Sequence, residues 1–325
     1  MVLNPHQIKS RCLILGGGGF MGSHLAEELL EKGYRVRVFD RPERDRRNLA
    51  AIANQIEICE GDFQNEADLQ DVVSDSEVIF HLVGTTLPAS SNTNPAYDVE
   101  SNVIGSIRLL ELCARSRPKK IIFSSSGGTV YGVPERSPID EQHSTHPICS
   151  YGISKLAIEK YIQLYARTAG LDYSILRISN CYGERQRLDA SQGVVAVFLG
   201  SAALRRPIHL WGDGSVVRDF VYVKDVVRAF RLAMEYTGPE RIFNVSANEG
   251  ISISELLRTL TVVTGQSFEI VREAERKFDV PQNILDNRKI QRVLNWNPQV
   301  SFEEGLRRTW AWILDQKELP ILQDS

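Results

Sequence analysis

The chain of 325 residues holds five cysteines, at positions 12, 59, 113, 149 and 181, and no two form a Cys-x-x-Cys pair. An odd number at these spacings excludes a disulfide framework and a zinc site, and no other metal centre is expected. Reduced thiols in a cytoplasmic compartment are expected instead. No run of about 18 apolar residues occurs, so no membrane span is expected. The N-terminal stretch MVLNPHQIKSRCLILGGGG lacks the long apolar run and small-residue cleavage site of a secretory leader. Charge of one sign is missing too: 38 Lys+Arg stand against 41 Asp+Glu, a net of -3. The densest basic run, Arg41 to Arg47, is interrupted by Glu43 and Asp45. A nucleic-acid partner is therefore not expected. Internal repeats, low-complexity tracts and flexible linkers are also lacking.

What is present is ordinary for a globular protein: 42% hydrophobic and 24% charged residues, enough for a sizeable core. The first half alternates short β-rich runs (Arg11 to Leu15, Arg35 to Asp40, Ile56 to Cys59, Val78 to Val83, Lys120 to Ser124) with helical patterns (Gly22 to Lys32, Glu66 to Val73, Asn102 to Arg115, Tyr151 to Thr168). Ile175 to Ile178 reads as another strand. This alternation predicts βαβ units, hence an α/β fold with a Rossmann-type, doubly wound parallel sheet. After about Asn180 the regularity weakens. Helices are expected at Val194 to Leu204 and Ser254 to Thr264, strands at Phe220 to Val223 and Phe243 to Val245, and a polar tail after about Leu314. The division expected is a nucleotide-binding domain over 1–179, with about 216–240 returning to it. A smaller α+β substrate domain is expected over 180–325, and the cleft between the two is the natural binding site.

Gly16, Gly19 and Gly22 form G-x-x-G-x-x-G directly after a strand and before a helix. Glycines permit the tight turn and let the backbone approach a pyrophosphate, while the helix N-terminus points free N–H groups at the anion. A glycine-rich strand-to-helix turn without a ligand is the competing reading. Asp40 ends the next strand, 18 residues beyond Gly22. Its carboxylate can accept from the adenosine ribose hydroxyls and would repel a 2′-phosphate, which favours NAD; Arg41, next to it, could instead partner such a phosphate. Asp62, in Gly61-Asp62-Phe63 after the third strand, either reaches the adenine or is an ordinary turn acid.

Tyr151 and Lys155 are four residues apart, and on a helix they share a face. A free phenol ionises near a pKa of about 10, too high for a base at neutrality. An ammonium within a few ångströms lowers it by roughly 1–3 pH units, and a positive nicotinamide ring pushes the same way. A phenol so tuned can take a proton from a sugar hydroxyl while hydride leaves for the cofactor. Ser124, Ser125 and Ser126 precede the pair at a strand's C-terminal end, where open α/β sheets bind ligands. One of their hydroxyls could share the reacting proton.

These segments, with RISNCYGERQ (Arg177 to Gln186), WGDGSVVRDFVYVKDVV (Trp211 to Val227) and LNWNPQVSFEEGLRRT (Leu294 to Thr309), resemble the extended short-chain dehydrogenases/reductases of the NAD-dependent epimerase/dehydratase family. In pattern the chain looks like the UDP-glucose 4-epimerases, from about Arg11 to Trp312. The resemblance implies an NAD-dependent nucleotide-sugar epimerase working through a 4-keto intermediate, with Tyr151, Lys155 and either Ser126 or Ser125 as catalytic groups. It implies cofactor contacts from Gly16, Gly19, Phe20, Met21, Gly22, Asp40, Arg41, Asp62, Phe63, Leu82, Tyr151 and Lys155, the last bonding the nicotinamide ribose. Asn102 would support the active-site helices, and Ser126, Asn180, Arg218, Arg276 and Asp279 would meet the substrate. Asn283 would fall near the sugar pocket. A homodimer through the helices bearing Asn102 and Tyr151 is implied as well.

The chain also departs from the family pattern. Gly127 stands where the family's catalytic Ser or Thr is usual, and Leu15 replaces a threonine before the glycine loop. Gly128 and Thr129 replace the Asp-Glu of the dehydratases, so elimination of water lacks its general acid. A reductase, dehydrogenase or decarboxylase of the same family, and a non-catalytic NAD-binding sensor, are the alternatives.

Overall fold

A computed structural model describes residues 10–188, 193–275 and 280–316. Through the first half it runs β1 (Arg11–Leu15), α1 (Phe20–Glu31), β2 (Arg35–Asp40), β3 (Glu57–Glu60), α2 (Glu66–Ser74), β4 (Val78–His81), α3 (Pro88–Thr93) and α4 (Pro95–Asp98). A π-helical turn, Val99–Ile104, leads into α5 (Gly105–Ser116), followed by β5 (Lys120–Ser126), α6 (Ser150–Ala169) and β6 (Tyr173–Ile178). The second half adds β7 (Asn180–Tyr182), α7 (Val194–Ala203), β8 (Ile208–Trp211), β9 (Val217–Tyr222), α8 (Val223–Glu235) and β10 (Ile242–Val245). It ends with β11 (Gly250–Ser252), α9 (Ile253–Thr264), β12 (Ile270–Glu273), β13 (Gln282–Asn283), α10 (Arg288–Leu294) and α11 (Phe302–Asp315).

Seven parallel strands form the main sheet in the order β10-β6-β5-β4-β1-β2-β3. The order reverses between β1 and β4, the switch point at whose strand C-terminal ends open α/β sheets bind ligands. The strands read as near-continuous runs of Ile, Leu, Val and Phe because both faces are covered. On one face α1 and α8 pack over Ile14, Val38 and Phe80, with Phe230 of α8 edge-on to Phe80. On the other, α2, α5 and α6 cover Leu13, Phe39, Ile121 and Phe123. Each such side chain, fully buried, contributes about 1.5–3 kcal/mol. The doubly wound Rossmann-type sheet expected from the strand–helix alternation is therefore present. The segment from α8 to β10 lies on this sheet although β9, just before it, does not.

A second core gathers α7, α9 and α11 over β7, β8 and β9, with Tyr182, Phe198, Phe220, Leu256 and Trp310 inside. Here β9 pairs with β11 antiparallel and with β7 and β13 in parallel, and β8 pairs with β12. Residues 302–315, of which only the last were expected to be a tail, form α11, capped by Ser301 accepting from the Glu304 N–H. No helix among the described residues is long and apolar enough to cross a membrane.

Candidate active site

The glycine turn follows β1. Gly16 adopts a φ of +81° and donates its N–H to the Phe39 carbonyl on the neighbouring strand at 2.9 Å. A Cβ on Gly22 would lie 2.4 Å from the Gly16 carbonyl oxygen, and one on Gly17 would lie 2.6 Å from the Val38 side chain. The turn therefore has room for backbone only. Gly19 caps α1 without any side-chain hydrogen bond, and no acidic residue occupies the first turn. A helix N-terminus left uncovered and unneutralised over a Cβ-free turn is what a pyrophosphate requires. The residues present fit a dinucleotide.

Asp40 closes β2 beside this turn. Its carboxylate accepts from the Gly18 N–H at 3.0 Å and the Arg41 N–H at 3.0 Å. A groove lined by Gly18, Val38, Asp40, Arg41, Arg44 and Leu49 extends from it. Sequence reading did not single out Arg44. Its guanidinium lies 3.4 Å from where a Cβ on Gly19 would stand. Outside α6, the five other expected cofactor residues are Asp62, Phe63, Phe20, Met21 and Leu82. Asp62 is exposed, and its carboxylate accepts from the Gln64 N–H, as in an ordinary turn. Phe63 is buried in the core against His81, so its ring is not a groove contact. Phe20 and Met21 begin α1 but are half-buried against the second core. Leu82, half-buried, continues from β4 and donates its N–H to the Leu15 carbonyl at 3.1 Å.

Tyr151 and Lys155 stand in the first turns of α6 and share a face, as their spacing requires. Cys149, the cap residue, offers no side-chain cap. Residues of α3 do it instead: Asn92 Oδ1 accepts from the Ser150 N–H at 2.9 Å and Ser91 Oγ from the Tyr151 N–H at 3.0 Å. Lys155 Nζ donates to the Ser124 carbonyl at 2.9 Å and sits 4.8 Å from the Phe123 ring centre and 5.6 Å from that of Tyr151. Burial pushes the Tyr151 phenol up to about 12, with Cys149 and Asp98 adding to the rise, and pushes the Lys155 ammonium down to about 8. Without the cofactor's charge, desolvation is the largest influence on both groups and disfavours both charged forms.

The serines separate cleanly. Alternation along β5 puts Ser125 on the opposite side from Ser124 and Ser126. Ser125 Oγ, buried, donates to Glu159 Oε1 at 2.5 Å, and Glu159 also holds Arg177 through Nε at 3.0 Å and Nη2 at 2.6 Å. Arg177 in turn reaches Tyr131, whose hydroxyl donates to Asn244 Oδ1 at 2.7 Å. Ser125 belongs to this buried network and is not available to a ligand, which corrects its place among the catalytic candidates. Ser126, half-buried at the last position of β5, carries no such commitment among the described residues.

Asn102 is a hub inside the π-helical turn. Its Oδ1 accepts from the Thr85 N–H at 3.0 Å, and its Nδ2 donates to Thr85 Oγ1 at 2.9 Å and Asp98 Oδ1 at 3.0 Å. Asn180 opens β7 and donates to the Asp219 carbonyl at 3.0 Å. Arg218, in β9, donates to the Val217 and Val280 carbonyls at 2.9 and 2.6 Å. Beside it Asp219 is buried and accepts from the N–H groups of Ala247, Asn248 and Leu285 and from Ser179 Oγ. Burial nonetheless pushes the Asp219 carboxyl up to about 7. Asn283, paired with Arg218 across β9 and β13, is buried. Its Nδ2 donates to the Gly127 carbonyl, and its Oδ1 has no partner among the described residues. Arg276 and Asp279, expected near the substrate, lie outside the described residues.

The sequence pattern of the NAD dependent epimerase/dehydratase family matches residues 12–246. The chain belongs to that family. Its cofactor is NAD, and it is an enzyme. A curated UDP-glucose 4-epimerase from Mycolicibacterium smegmatis is 35% identical over 304 residues, covering 92% of this chain and 97% of that protein. A crystal structure of UDP-glucose 4-epimerase with UDP-glucose from Thermotoga maritima is 39% identical with a TM-score of 0.90, covering 95% of this chain and all of that one. The UDP-glucose 4-epimerase of Thermus thermophilus, solved in complex with NAD, is 32% identical with a TM-score of 0.87, covering 94% and 99% of the two chains.

Proposed function

We propose that this enzyme interconverts UDP-hexoses by inverting C4, with NAD bound throughout. The observation that carries the reading is the Tyr151/Lys155 pair on α6, with Lys155 Nζ held on the strand that ends in Ser126. Gly16, Gly19, Gly22 and Asp40 hold the dinucleotide, and when bound it supplies the hydride acceptance and return that no side chain can provide. Tyr151 removes the proton from the sugar 4-hydroxyl. The Lys155 ammonium stabilises the phenolate, and Ser126 Oγ shares a hydrogen bond with the same oxygen. After the flat 4-keto sugar has turned over, Tyr151 returns the proton to an oxygen on the inverted carbon. Asn180 and Arg218 keep the nucleotide in place meanwhile. A charged clamp on the diphosphate with few charges around the hexose lets one half of the substrate stay and the other rotate.

Purified enzyme given UDP-galactose forms UDP-glucose without added reductant, and no net NADH accumulates. Stoichiometric NADH formation would identify a dehydrogenase or reductase instead. Failure to turn over any UDP-, dTDP- or GDP-sugar would sink the reading. The same preparation runs as a homodimer in light scattering, at twice 36.6 kDa. Val99 and Ile104 in the π-helical turn and Ile153, Tyr161 and Leu164 on α6 are exposed apolar side chains on the two helices concerned, and a monomer mass would overturn the pairing. Five free cysteines fit a reducing, cytoplasmic compartment.

A further inference from the structure

Asp98 has no exposed surface, yet no part of the mechanism above uses it. Its two oxygens divide their partners. Oδ1 accepts from Thr86 Oγ1 and from Asn102 Nδ2. Oδ2 accepts from Ser150 Oγ at 2.8 Å and from Ser154 Oγ at 2.7 Å. Ser150 and Ser154 are the residues immediately before Tyr151 and Lys155. They lie one helical turn apart, so a single oxygen spans two successive turns of α6. Consecutive residues are about 100° apart around a helix. Fixing the Ser150/Ser154 stripe therefore fixes the rotation of α6 about its own axis, and with it the direction of the Tyr151/Lys155 stripe beside it. The other end of the anchor is the loop leaving β4, through Thr86, and the π-helical turn, through Asn102.

We propose that Asp98 is a positioning residue for the reaction: its carboxylate, bonded to Ser150 and Ser154, fixes the orientation of α6 and with it that of Tyr151 and Lys155. This rests on the reading of Tyr151 and Lys155 as the reacting pair. Around Lys155 the titratable and charged groups are Tyr151 and Glu159 on α6, Asp98 at the end of α4 and His81 on β4. Burial lowers Lys155, and Asp98 is the largest opposing influence, ahead of Glu159. Without the Asp98 charge, Lys155 loses its proton at lower pH, and the Tyr151 phenol, which the same charge raises, ionises at lower pH too. A phenol swung even about 1 Å from its position costs on the order of 10²-fold in rate.

The test compares wild type with Asp98→Asn and with the double variant Ser150→Ala/Ser154→Ala, which removes the anchor and leaves the charge. Expected for Asp98→Asn is a fall in kcat of about 10- to 100-fold with KM for UDP-galactose little changed, and an alkaline limb of the kcat–pH profile moved to lower pH. The double variant loses kcat without moving that limb. In both, amide hydrogen exchange over residues 150–156 quickens. If Asp98→Asn does not fold, the double variant decides the anchor alone. Unchanged kcat per folded molecule with an unmoved limb overturns the proposal, even where stability falls. Should wild type turn over no nucleotide-sugar, the reaction reading fails while the exchange measurement still reports on the anchor.

Discussion

Tyr151→Phe is expected to lower kcat for UDP-galactose by about 10²–10⁴-fold, the range for loss of a positioned acid–base group, with KM nearly unchanged. Burial raises the Tyr151 phenol above its ordinary value, so a nearby positive charge favours the phenolate the reaction needs. Lys155 is that charge within the protein, and at about 8 it is still mostly protonated at neutrality. Lys155→Met accordingly loses rate as well and leaves the phenol still harder to ionise. Removal of the Tyr151 hydroxyl takes away the proton acceptor but none of the groups assigned to hold the nucleotide, so the loss falls on kcat. Initial rates over a range of substrate concentration separate the two constants. A Tyr151→Phe enzyme with wild-type kcat would remove Tyr151 from the role of base.

Glu159→Ala is expected to destabilise the fold by about 3–5 kcal/mol, the cost of leaving a buried charge without its partner. Glu159 is fully buried and Arg177 nearly so. Their two-pronged contact, at 3.0 and 2.6 Å, ties α6 to β6, while Ser125 and Tyr131 extend the network to β5 and β10. Loss of the carboxylate strands the Arg177 guanidinium and the Ser125 hydroxyl together. Total stabilities of folded domains are only about 5–15 kcal/mol, so a change of this size is a large fraction of the whole. Urea unfolding measures it directly. Ser125→Ala removes one neutral donor from the same network and is expected to cost only about 1 kcal/mol. Equal, small losses in the two variants would show that the ion pair is solvated.

The strand–helix alternation was legible because period and composition are local properties. β1, β2, β5, α1 and α6 all begin or end within two residues of where their apolar patterns start or stop. β8, β12 and the two-residue β13 escaped because they are short and take their register from partners distant in the chain. At the site, the glycine turn, Asp40 and the Tyr151/Lys155 pair were readable for a similar reason. Each is a residue type at a spacing, within one element or at the end of the next, that the chemistry requires. The choice between Ser125 and Ser126 was not readable, since it depends on which face of β5 meets Glu159. Asp98 left only a faint trace, a carboxylate one helical turn before Asn102. Arg44 resembled every other charge in a mixed run.

By itself the sequence determined the parallel sheet and the glycine turn and set Tyr151 and Lys155 one helical turn apart, because hydrophobic periodicity and residue spacing act over a few neighbours. Only the tertiary structure decided how that pair is desolvated, which β5 serine joins the Glu159 network and which side chains Asp98 binds. Those depend on how completely water is excluded and on which distant side chains burial brings within hydrogen-bond reach.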